Sequence, residues 1–147
     1  MIDLNDHTVF MRAALAEAHL AAAEGEVPVG AVIVASGRII ARAHNLTERL
    51  TDVTAHAEIQ AITAASNYLG AKYLPKCTLY VTLEPCPMCA GALFWSQIGK
   101  VVYGASDEKR GFQEHGGNLH PKTEVISGIL EEECGDVMTD FFSKRRK

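Results

Sequence analysis

Four side chains in two short segments have the types and spacing to do chemistry together: His56 and Glu58 in Thr54-Ala55-His56-Ala57-Glu58, and Cys86 and Cys89 in Glu84-Pro85-Cys86-Pro87-Met88-Cys89. Two thiolates and one imidazole make three zinc ligands, and the Cys-x-x-Cys spacing sets both sulfurs on one side of a helix. Three protein ligands leave a fourth position for water, the arrangement of a catalytic zinc rather than a structural one. Two thiolates cancel the formal charge of the ion, so a water beside it needs help to lose a proton. A neighbouring carboxylate, Glu58, can take that proton as a base and pass it on. Residues two apart on a helix point about 200° apart. His56 and Glu58 therefore serve one centre only if it lies at the N-terminal end of their helix. A fourth ligand drawn from His44, His115 or His120 would instead make a structural zinc site, and a redox dithiol would leave His56 and Glu58 without a role.

The elements that must position these groups follow from the pattern of the chain. Residues 7–24 read as a helix with Val9, Ala13, Ala16 and Leu20 on one stripe, stopped by Gly25. Two β-branched runs, 29–35 and 38–43, flank Ser36-Gly37 and predict a hairpin. A polar stretch, 44–52, suits a surface loop near a site. Thr54 is the expected N-cap of a helix over 55–68 that Gly70 ends. A strand over 78–82 leads to a helix over 86–98 opened by Pro85 and Pro87, and a strand over 101–105 follows. Residues 106–122 read mostly as loop, with a short strand over 123–127. In the last helix Cys134, Val137, Met138, Phe141 and Phe142 form an apolar stripe. Strands alternating with helices after a hairpin predict an α/β protein whose mixed sheet is covered on both faces.

Composition narrows the function classes. The chain has 147 residues, 48% hydrophobic and 22% charged, an ordinary globular mix that excludes disordered and collagen-like chains. No apolar run approaches the length of a membrane helix. Met1-Ile2-Asp3-Leu4-Asn5-Asp6 is acidic and lacks an apolar stretch, so no secretory signal is expected there. A reducing, cytoplasmic setting then makes disulfides improbable, with Cys77 and Cys134 expected as small buried apolar groups. The net charge of −4 argues against a broad nucleic-acid-coating surface. Charge is uneven, however. Residues 144–147 are all basic, and the other 143 hold 10 basic against 18 acidic side chains. That tail reads either as a solvated end or, with Arg110 and Lys122, as a local phosphate-contacting patch. Ala92-Leu93-Phe94-Trp95 is an apolar run that suits core packing or a subunit contact.

His-x-Glu followed by Pro-Cys-x-x-Cys is the signature of zinc-dependent nucleobase deaminases. The wider match, through Val27-Pro28-Val29-Gly30-Ala31, Thr54-Ala55-His56-Ala57-Glu58, Thr82-Leu83-Glu84-Pro85-Cys86-Pro87-Met88-Cys89-Ala90-Gly91-Ala92 and Asp140-Phe141-Phe142, resembles bacterial tRNA-specific adenosine deaminases of the cytidine/deoxycytidylate deaminase superfamily. The resemblance implies one deaminase domain over 1–147, with a basic tail at 144–147 and a three-layer α/β/α fold on a five-stranded mixed sheet. It implies a cytoplasmic homodimer, no membrane association, and conversion of adenosine to inosine at wobble position 34 of a tRNA anticodon stem-loop. His56, Cys86 and Cys89 match ligands of one Zn2+ per subunit, and Glu58 matches the proton shuttle. Val29, Asn45 and Asp107 match substrate-contacting positions, with Phe142 and Arg145 on the C-terminal helix near the RNA. The same zinc chemistry would serve a deaminase of free guanine, cytosine or cytidine. A non-catalytic, zinc-stabilised binding module is the reading from another class.

Overall fold

The computed structural model describes residues 4–145. The chain runs α1 (Leu4–Ala23), β1 (Gly30–Ala35), β2 (Arg38–His44), α2 (Ala57–Leu69), β3 (Cys77–Leu83), α3 (Pro87–Ser96), β4 (Lys100–Ala105), α4 (Phe112–His115), β5 (Glu124–Ser127) and α5 (Glu131–Arg145). The strands form one sheet in the order β2-β1-β3-β4-β5. β1 is antiparallel to β2 and β3, while β3, β4 and β5 run parallel. The fold is the expected three-layer α/β/α arrangement with a mixed five-stranded sheet.

Strands buried on both faces read as continuous apolar runs, and the alternation of their side chains builds two cores. Ala31, Ile33, Leu79, Val81, Val101 and Tyr103 pack with Ala57, Ala61 and Ala65 of α2 and Ala90 and Leu93 of α3. Val32, Val34, Tyr80 and Val102 point the other way, onto Met11, Ala14, Leu15 and Ala18 of α1 and Cys134 and Val137 of α5. Gly30 pairs with His44, Ala31 with Val81 and Leu83 with Ala105. The start of β1 and the ends of β2, β3 and β4 therefore share one edge, where the functional segments leave the sheet.

Four local expectations are corrected. The α1 stripe was expected at Val9, Ala13, Ala16 and Leu20, yet Val9 is 62% and Leu20 50% exposed, and the buried face is Met11, Ala14, Leu15, Ala18 and Ala21. An alanine-rich helix is apolar on nearly every side, so its pattern does not fix which side turns inward. Close approach does: a Cβ on Gly30 would overlap the Ala14 carbonyl and the Ala18 amide, so α1 rests backbone-to-backbone on β1. Thr54 is not the cap of α2, because its N–H and hydroxyl both donate to Asp52 Oδ1, at 2.8 and 2.7 Å; the cap is His56. α3 stops at Ser96 because Gln97 turns left-handed, with φ 55°. The 106–122 loop contains the single turn of α4. Of the basic tail, Lys144 and Arg145 close α5, and Arg146 and Lys147 lie outside the described residues. Among the described residues all four cysteines are free thiols, and no helix is long and apolar enough to cross a membrane.

Candidate active site

β3 delivers the chain through Glu84 and Pro85 into Cys86, which caps α3 in extended conformation (φ −75°, ψ 170°), with Pro87 as the first helical residue. Proline suits that position because its missing N–H has no partner there in any case. His56 caps α2 the same way (φ −74°, ψ 156°). Neither cap makes a side-chain hydrogen bond to its helix. The positive N-terminal ends of two helices thus lie beside the ligand-bearing residues, where they favour anionic sulfur.

His56 Nδ1 is 3.6 Å from Cys86 Sγ and 3.5 Å from Cys89 Sγ. One donor atom from each of the three residues lies within 4.8 Å of the other two, and no other such cluster occurs among the described residues. Zinc bonds of ~2.3 Å to sulfur and ~2.05 Å to nitrogen, at tetrahedral angles, put nitrogen and sulfur about 3.6 Å apart. The donors fit a zinc ion by atom type and by spacing. None of the candidate fourth ligands joins them. His44 lies between Glu17 (2.9 Å) and Glu24 (3.2 Å), His115 meets the Glu108 carbonyl, and His120 accepts the Lys122 N–H beside the Phe94 ring.

The helical-angle problem is solved by the backbone. His56 stands just outside α2, in extended conformation, while Glu58 is the second helical residue, so both reach the same end of the helix. Glu58 is buried, and loss of water pushes its carboxyl up to about 7; the Cys89 thiol donates to it. The hydrogen bond from Cys89, with one from His56, holds the Cys86 thiol down at about 4. That same bond to Cys86, then burial, drives Cys89 upward. His56 is raised, chiefly by its bond to Cys86. One thiolate, one thiol, an imidazole and a carboxyl of near-neutral pKa thus share protons in one corner. Such a set can bind a soft divalent ion by releasing protons, and it leaves a base beside the ion.

Val29, Asn45 and Asp107 reach the same sheet edge. Asn45 is buried at the end of β2; its N–H donates to the Val29 carbonyl at 3.1 Å and its Nδ2 to Thr47 Oγ1 at 3.4 Å. Val29 is half-buried against the α2–α3 core. Asp107 follows β4, and its Oδ1 accepts the N–H groups of Lys109 (3.2 Å) and Arg110 (3.1 Å). Phe142 is 41% exposed on α5 and meets Phe141 edge-on. Arg145 donates to the Gly25 carbonyl at 2.9 Å and covers the Phe141 ring. Exposed Leu50, Val53 and Met88 lie on the segments that carry His56 and Cys86. Two buried carboxylates, Glu26 and Glu84, were not singled out for a role from the sequence. Their partners are backbone amides 22 to 29 residues away, which no local pattern signals.

The MafB19-like deaminase family matches residues 5–146. A tRNA-specific adenosine deaminase of Bacillus subtilis (strain 168) is 50% identical over 145 residues, covering 95% of this chain and 90% of the relative. One from Agrobacterium fabrum is 46% identical, covering 96% of this chain and 97% of the relative. A structure solved in studies of A-to-I editing by tRNA:A34 deaminases at the wobble position of transfer RNA superposes with a TM-score of 0.83 at 46% identity, covering 88% of this chain and 99% of that one. By sequence along nearly its whole length, and by fold, the chain belongs to the tRNA-specific adenosine deaminases.

Proposed function

We propose that this protein deaminates adenosine to inosine at wobble position 34 of a tRNA anticodon, with one zinc ion per subunit held by His56, Cys86 and Cys89. The observation that carries the reading is the meeting of one imidazole nitrogen and two sulfurs, with each nitrogen–sulfur pair at tetrahedral-edge spacing, and the buried Glu58 accepting a hydrogen bond from one of those sulfurs. Zinc, when bound, supplies a Lewis acid that makes water a better nucleophile at neutral pH. Glu58 takes a proton from the attacking water as its oxygen adds to C6 of adenine, and delivers that proton to the neighbouring ring nitrogen. Glu58 then carries the proton of the new hydroxyl to the amino group; the C6–N bond breaks, ammonia leaves and C6 is left as the carbonyl of inosine. A carboxyl buried beside the ligands, out of bulk water, suits a shuttle that takes up a proton and gives it back.

In this reading Asn45 hydrogen-bonds the flipped nucleoside, Val29 packs against it, and Asp107 accepts a ribose hydroxyl. The exposed apolar side chains Leu50, Val53 and Met88 offer surface for unstacked loop bases. Arg110, Lys122 and the basic end of α5, with Phe142 and Arg145, supply local contacts to an anticodon stem-loop that the −4 net charge does not forbid. The setting is the cytoplasm. The working unit is a homodimer, for which the groove between α2 and α3, lined by Tyr73, Ala92 and the 75% exposed Trp95, offers a partly apolar contact face. Sedimentation of Trp95→Lys as a monomer would support that face; an unchanged dimer would remove it.

The deciding experiment is Glu58→Ala. Zinc content stays unchanged while inosine formation falls by ~10²–10⁴-fold or more. An active variant refutes the assignment. The same assay with anticodon stem-loops, free guanine and cytidine separates an RNA enzyme from a free-base or nucleoside enzyme. Release of ammonia from none of them leaves a zinc-stabilised binding module.

A further inference from the structure

Two buried carboxylates lie at the sheet edge and take no part in the zinc cluster. Glu26 is 1% exposed and Glu84 6%. Among the described residues neither has an ion-pair partner. Each instead spends its two oxygens on two backbone amides. Glu26 accepts the N–H of Glu48 at 3.0 Å and of Arg49 at 2.8 Å, one on each oxygen. Glu84 accepts the N–H of Asp107 at 3.0 Å and of Gln113 at 3.0 Å, again one on each oxygen. A buried carboxylate without a cation is costly, and it is tolerated when charge-assisted hydrogen bonds replace its water.

The two loops held in this way flank the cluster. Glu26 grips the loop that begins at Asn45 and ends at His56; Glu84 grips the loop that carries Asp107. Glu84 also stands two residues before Cys86, so one segment fixes both the sulfur side of the metal site and the Asp107 wall. The grip on the second loop is close. A Cβ on Gly111, whose backbone is otherwise ordinary (φ −71°), would overlap the Glu84 carboxylate. Its lack of a side chain is therefore required by the carboxylate and not by a turn.

We infer that Glu26 and Glu84 are positioning residues, a matched pair of carboxylate clamps that hold the Asn45 and Asp107 loops at the spacing the flipped nucleoside needs. The inference rests on the proposed deaminase reading for its consequence in catalysis, and on geometry alone for the clamps. Neither residue touches the reacting atoms. Each acts through the loop it holds.

Glutamine is the informative replacement. It keeps the shape but offers one acceptor oxygen and one NH2, which would face a backbone N–H donor to donor. In the zinc-loaded protein, Glu84→Gln should speed amide exchange of residues 107–113 by about tenfold or more and leave 46–52 unchanged, with Glu26→Gln doing the reverse. Each should raise KM for an anticodon stem-loop about tenfold with kcat and zinc content within about twofold. Gly111→Ala, which crowds the Glu84 carboxylate without removing it, should reproduce the Glu84→Gln pattern if that variant folds poorly. In an Asp107→Ala background, Glu84→Gln should change KM by less than about twofold. Exchange that stays unchanged, or that quickens in both loops together, overturns the clamps. So does a fall in kcat at constant KM, or a repeated tenfold effect in the Asp107→Ala background. A wild-type protein that makes no inosine would refute the deaminase reading instead, and the exchange measurements would still decide whether the clamps exist.

Discussion

Cys134, on the α1–α5 face of the sheet, is fully buried, and burial pushes its thiol up to about 12. Cys86, at the start of α3 on the other face, is half-buried and held down at about 4 by the Cys89 hydrogen bond and by His56. The residue type is the same and the chemistry is opposite. The faces differ in how they meet the strand ends. On the α1–α5 face the polar groups are used up in packing: His7 Nδ1 lies 2.7 Å from Tyr80 Oη, and burial pushes the Tyr80 phenol up to about 12. On the α2–α3 face two helices begin at the edge where β3 and β4 end, and the residues that cap them, His56 and Cys86, with Cys89 in the first turn of α3, form the metal-ligating cluster. Ligands of open α/β sheets bind outside the carboxyl ends of strands. Reactivity here follows from place, not composition.

The sharpest way to break that contrast is to remove one thiol from each face. Cys86→Ala should lose zinc and all measurable deamination. Cys134→Ala should keep both and cost only about 1 kcal/mol of stability for the lost packing. Equal effects from the two variants would erase the distinction. A second test uses the wild type after chelation of metal at pH 7. Iodoacetamide should label Cys86, the one thiolate, and spare Cys77 and Cys134, both raised by burial. Zinc added first should protect Cys86. Labelling of Cys134 at a comparable rate would show that its face opens as readily as the site.

The smallest expected effect concerns alkaline pH. The fold keeps the Tyr80 phenol protonated up to about 12, against an ordinary value of 10.0. Its contribution is whole below about pH 10 and shrinks as pH climbs toward 12, because only the unfolded chain gains by releasing the proton. At pH 11 the loss stays below about 1.4 kcal/mol. Tyr80→Phe should start less stable, by about 1 kcal/mol for the bond to His7, and then close the gap to the wild type across that window. A gap that stays constant from pH 9 to 11.5 would mean that Tyr80 is not shielded.

The zinc corner was legible in the sequence because donor type and spacing are local properties: Cys-x-x-Cys and His-x-Glu state their chemistry within a few residues. The central strands were legible for the same reason, as β-branched runs between turn residues. The phase of α1 was not, because alanine packs inward on any side and the contact that decides, Gly30 against Ala14 and Ala18, joins two elements. Thr54 looked like a cap, yet Asp52, two residues earlier, captures both its donors. Glu26 and Glu84 were invisible as positioning groups since an acidic residue announces nothing about distant backbone amides.

The central claim is tested most directly by X-ray absorption at the zinc edge on the purified protein. Two sulfur ligands at ~2.3 Å and two light-atom ligands at ~2.0–2.1 Å per metal, with one light-atom ligand exchanged when a transition-state analogue binds, is the expected spectrum. A spectrum with three or four sulfurs, or with a closed shell that no analogue perturbs, would contradict an open site built on His56, Cys86 and Cys89.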